Sequence, residues 1–91
     1  MKKEITITSE ENSQIENLFL TYQAYMSMLT YLAEQGIENT TVYDKKWAEA
    51  TDIWIKLDAA KRAVEVKYKP AGNWDRYEFD FEHSQVVFVK E

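Results

Sequence analysis

The chain contains no cysteine, one proline and two glycines in 91 residues. The missing thiols exclude a disulfide framework, a thiolate zinc site and a cysteine nucleophile. No phosphate-cradling glycine-rich loop, nucleophile elbow or EF-hand loop is present, and with two glycines several of those backbones could not be built. A single histidine, His83, leaves no pair at zinc spacing and no Ser/His/Asp set. No apolar run approaches the roughly 18 residues that span a bilayer, and the lysines of "MKKEITIT" are not followed by a signal-peptide core. The expectation from these absences is a cytoplasmic, non-enzymatic protein with no cofactor, no metal and no membrane association. The triplet "NTT" at Asn39 to Thr41 matches a glycosylation acceptor, but without a secretion signal it is read as chance.

Basic stripes are also lacking. The net charge is −5, distributed as −4 over residues 1–41, +2 over 42–69 and −3 over 70–91. Such a balance argues against direct nucleic-acid binding by phosphate neutralisation.

What is present is apolar and aromatic. Hydrophobic residues make up 45% of the chain and aromatics 14%, which excludes disorder and points to one packed domain over residues 1–91. A chain this short buries only about two-thirds of its unfolded surface, so its core must be dense or an oligomer must help.

"KEITIT" alternates Ile5 and Ile7 with polar residues and predicts a short strand. Thr8 followed by Glu11 forms a capping-box pattern, so a helix is predicted from there to Gly36. Within it, Ile15, Leu18, Tyr22, Tyr25, Met26, Leu29, Leu32 and Ala33 share one stripe, with Phe19 at its edge. A second apolar face carries Leu20, Ala24, Met28 and Tyr31. Apolar side chains over about two-thirds of a helix imply packing on two sides, by a helix and by a sheet or second subunit.

After a loop at 36–43, Thr41 with Asp44, or Asp44 itself, is the expected cap of a second helix reaching about residue 68. Its stripe is Tyr43, Trp47, Ala50, Trp54, Leu57, Ala60, Val64 and Tyr68. The alternating "VEVKYK" leaves open a strand in its last turns. "NWDRYEFDFE" and "QVVFVKE" predict a β-hairpin around "EHSQ", with Tyr77, Phe79 and Phe81 facing the helices and Glu78, Asp80 and Glu82 facing away. The predicted fold is α+β: a long antiparallel helical hairpin on a small antiparallel sheet, in the order β-α-α-β-β or, with the extra strand, β-α-α-β-β-β.

Three candidate surfaces follow. The acidic row Glu78, Asp80, Glu82 is read first as a solvated strand face that discourages edge aggregation, since a flat strand spaces carboxylates too widely for a cation cage. His83 is read as an exposed turn residue. Tyr22, Tyr25, Tyr43, Trp47 and Trp54 form an aromatic seam between the helices, a core element or a pocket for a flat or cationic ligand. Leu20, Ala24, Met28 and Tyr31, with Ile55, Ala59 and Val66 on the second helix, exceed what a small sheet can cover and are the candidate interface. The expected function is a small acidic protein-binding or adaptor protein, homodimeric through apolar helix faces, with a protein partner. Two alternatives are an acidic inhibitor competing with nucleic acid for a basic protein, and a small-molecule binder using the Trp/Tyr seam.

Overall fold

The computed structural model describes residues 1–37 and 40–91. Its elements are β1 (Lys2–Thr6), α1 (Ser9–Glu34), α2 (Thr41–Tyr68), β2 (Arg76–Asp80) and β3 (Gln85–Val89). The two helices form a hairpin packed on a three-stranded antiparallel sheet of order β1-β3-β2. "VEVKYK" is the C-terminal part of α2, where Val64 is buried and Tyr68 packs on the core, so the order is β-α-α-β-β. Asn39 of "NTT" lies outside the described residues.

Each helix end has a local cause. Thr8 accepts from the Glu11 amide at 3.1 Å while the Glu11 carboxylate accepts from the Thr8 amide at 2.9 Å, closing the capping box. At the far end Gln35 is the C-cap, and Gly36 takes the left-handed conformation at φ 72°. The Gly36 amide donates to Ala33 and the Ile37 amide to Leu32, both at 3.0 Å, which is the Schellman pattern. The loop is shorter than residues 36–43. Thr40, not Thr41 or Asp44, caps α2 by accepting from the Tyr43 amide at 3.2 Å, and Asp44 instead sits in the first turn, favourable to the helix dipole.

The base of the hairpin is pinned by one carboxylate. Glu11 accepts from the Tyr68 hydroxyl at 2.5 Å and from Lys67 Nζ at 3.1 Å, tying the start of α1 to the end of α2. Partial burial pushes its carboxyl up, but hydrogen bonds from Tyr68, Thr8 and Lys67 outweigh this and hold it down at about 2.

The core sits over this base. Ile7, Ile15, Leu57, Val64, Val86 and Phe88 form the buried cluster, with Leu18, Tyr22, Tyr77, Phe79 and Phe81 packed against it. Asn12, also buried, donates from Nδ2 to the Phe81 carbonyl at 3.0 Å and so fixes α1 to the end of β2. β2 stops at Asp80, so Glu82 does not continue the strand's outward row but lies in the turn at 81–84. Phe81 leaves the strand too, yet still stacks on Phe79 at 6.0 Å.

Two outcomes are expected. Nothing lies within 4 Å of a Cβ built on Gly36, so Gly36→Ala costs only the backbone strain of φ 72°, about 1 kcal/mol in chemical denaturation. Folded Glu11 keeps its charge from its ordinary 4.5 down to about 2, so the unfolded chain takes up that proton first. Its contribution is complete above about pH 4.5 and is lost as pH falls towards 2. Glu11→Gln should lower stability at pH 7 by about 1 kcal/mol and flatten this acid limb of the stability profile.

Candidate interaction surface

Helix and strand lengths do not match. At 1.5 Å per residue, α1 and α2 reach about 39 and 42 Å, whereas a five-residue strand reaches about 17 Å. Sheet side chains line a groove with Phe19 and Leu57 but take no part in those at Tyr22 and Met26 or at Tyr22 and Trp54, and beyond Phe19 and Leu57 the arm projects about 25 Å. The molecule measures 48 × 28 × 20 Å, with a radius of gyration of 16.2 Å against about 12 Å for a compact chain of this length.

An aromatic chain crosses the sheet and runs onto this arm. Trp74 lies 6.1 Å from Phe88, Phe88 6.0 Å from Tyr77, Tyr77 5.8 Å from Phe79, Phe79 6.0 Å from Phe81, and Phe81 5.9 Å from Phe19 of α1. Phe19 marks where the sheet ends. It lines one groove with Phe79 and Phe81 and the next with Tyr22 and Met26. Tyr22 in turn lines a groove with Trp47, Ala50, Thr51 and Trp54. Phe19, Tyr22, Met26, Trp47 and Trp54 thus make a continuous shelf on the hairpin face that the sheet covers lower down. Trp47 is 41% exposed and Trp54 48%.

Of the predicted aromatic set, Tyr22, Trp47 and Trp54 come together on this shelf, and Tyr43 meets Trp47 edge-on at 6.4 Å. Tyr25 does not join them. It lies beside Glu49, whose hydrogen bond pushes the phenol up, and Glu49 is held by Lys46 at 3.2 Å. The open groove between Trp47 and Trp54 holds about 260 Å³, below the roughly 300–1,000 Å³ of a ligand pocket, and its polar groups are the Tyr22 and Thr51 hydroxyls and the indole N–H groups. Phe19 and Met26 belong to the shelf although the helical period places them beside or within the core stripe. Comparing five strand residues with 26 helical ones is the signal that singles them out.

The predicted interface residues occupy other flanks. On α1, Leu20, Ala24, Met28 and Tyr31 are exposed, Leu20 by 54% and Tyr31 by 59%; on α2, Ile55 and Val66 are exposed, Val66 by 82%. Ala59 joins Ala60, Ala63, Leu18 and Thr21 in a furrow of about 690 Å³ between the helices, with Glu11 and Lys56 along it. The furrow includes no sheet residue.

The acidic row is internally compensated. Across the open sheet face, Val87 lies in register between Glu4 and Glu78, and Val89 between Lys2 and Arg76, so an acidic row borders a basic one. Arg76 donates to Glu78 at 3.1 Å and also contacts Glu91. Asp80 is held below the usual carboxylate range, first by its hydrogen bond with the His83 ring at 2.8 Å. Glu82 is exposed in the turn. Among the described residues no group of three or more His, Asp or Glu side chains is gathered to hold a metal ion, and no helix is long and apolar enough to cross a membrane.

Replacing His83 with Ala should return the Asp80 carboxyl towards its ordinary value in an NMR titration, with the melting temperature unchanged, because the pair is solvent-screened. Comparison with known proteins yields no matching family model, no matching curated protein and no matching solved structure.

Proposed function

We propose that this chain is a non-catalytic protein-binding or adaptor module of the cytoplasm, homodimeric through apolar faces of its helical hairpin. The observation that carries this reading is the projecting arm, whose exposed Trp47 and Trp54 are covered by no layer of the described residues. Surface area supports it. A compact 10.8 kDa protein exposes about 5,500 Å², and this chain exposes 6271 Å². The excess, about 700 Å², is close to the roughly 800 Å² that each partner contributes to a standard interface. The exposed residue types agree, since Trp, Tyr, Phe and Met are enriched at interface cores.

The acidic-inhibitor reading draws less support. Its carboxylates Glu78 and Asp80 already hold partners in Arg76 and His83, leaving little free charge to imitate phosphate. The small-molecule reading meets an open groove without convergent polar groups.

Light scattering at micromolar concentration tests the proposal. The expected mass is twice 10.8 kDa. A strictly monomeric chain that binds no hydrophobic dye would overturn it.

A further inference from the structure

From the shape and chemistry of the arm we infer that the aromatic shelf is the self-association seam. A second copy docks on it antiparallel, hairpin against hairpin, so that four helices form a bundle between two outlying sheets. This rests on the dimer reading above and specifies its geometry.

Charge selects the shelf over the back of α2, and extent selects it over the Leu20, Ala24, Met28 and Tyr31 flank, which is also uncharged but lies on α1 alone, whereas the shelf spans both helices. Two copies of a −5 chain repel, so close approach favours a surface without like charges. The two grooves of the shelf are lined by Phe19, Tyr22, Gln23, Met26, Ser27, Trp47, Ala50, Thr51 and Trp54, none of them charged, in a chain that is 30% charged. The back of α2 offers no such run: Ile55 and Val66 are interspersed with Asp52, Lys56, Asp58 and Arg62. An uncharged, aromatic surface offers no ion pair to a charged partner. It suits a copy of itself, as in a two-fold contact where one patch meets the same patch.

Layer thickness then selects the orientation. The sheet stands about 10 Å proud of the hairpin face. Two copies docked with their sheets at the same end would hold the shelves about 20 Å apart, with no contact. Docked head to tail, each arm occupies the layer beyond the partner's sheet. The free length of about 25 Å on one copy accepts the equal length of the other. The edge strand β2 borders the shelf, since Phe79 and Phe81 line a groove with Phe19 and Leu57, so the partner's helix tip abuts it. Leu20, Ala24, Met28 and Tyr31 stay outside the seam on both copies, available to a different protein.

The test combines analytical ultracentrifugation of the full chain with cross-linking. Trp47→Glu and Trp54→Glu alter exposed side chains and should leave the helix content intact, yet each should raise the dimer dissociation constant about 30-fold or more, as expected for a central aromatic anchor. Wild-type Trp emission should shift to the red on dilution through that constant. Because the chain has no cysteine, Gln35→Cys in one copy and Glu78→Cys, on the strand that borders the shelf, in another give unique thiols. A short bismaleimide should join tip to β2 between copies in preference to tip with tip. Dimers that survive both Trp substitutions, or that dissociate only with Leu20→Glu or Tyr31→Glu, would overturn the shelf as seam while the dimer reading stands. Preferential tip-to-tip cross-links would overturn the antiparallel arrangement. A wild-type chain that never dimerises would remove both the inference and the reading beneath it.

Discussion

Two helices of about 40 Å lie on a sheet whose strands reach about 17 Å, and this mismatch governs the rest of the molecule. A helix stripe is buried only where another layer meets it. Ile15, Leu57 and Val64 meet the sheet and are buried, whereas Trp47 and Trp54 continue the same stripe of α2 past the sheet and remain open. Leu29 and Ala50 are still buried, so the arm retains closely packed positions of its own. What it lacks is a second layer for its aromatic shelf.

An arm of this kind has to be held firmly at its base. There the chain combines several modest interactions: the capping box at Thr8, the Glu11 bonds to Tyr68 and Lys67, and the Asn12 bond to the end of β2. Apart from the solvent-screened Lys67 pair, each is worth on the order of 1 kcal/mol, and all join the same few residues, where α1, α2 and β2 meet. The open sheet face contributes a different property. Its acidic and basic rows lie side by side and keep the exposed edges charged, which opposes strand-to-strand aggregation.

Local chemistry was legible in the residues. Thr8 and Glu11 announce the first helix, Gly36 its end, the helical period runs unbroken to Tyr68, and Tyr77, Glu78, Phe79 and Asp80 alternate as a half-buried strand must. Boundaries decided by one side chain were less so. Thr40, Thr41 and Asp44 are all competent caps, and the geometry chooses Thr40. Aromatic and acidic alternation continues to Glu82 in the sequence, but the chain turns after Asp80. The flank Leu20, Ala24, Met28 and Tyr31 was legible as surplus apolar surface, because no third layer can be drawn from 91 residues to cover it. The shelf was not. Phe19, Met26, Trp47 and Trp54 have the spacing of core residues, but Phe19 sits at the limit of the sheet and the others lie past it, which leaves Met26 half-buried and Phe19, Trp47 and Trp54 exposed.

Small-angle X-ray scattering of the single chain, diluted until its scattering mass is 10.8 kDa, tests the projecting arm most directly. The account predicts a radius of gyration near 16.2 Å. A value near 12 Å, that of a compact chain of equal length, would mean that the arm folds back and the shelf is covered from within, and would contradict it.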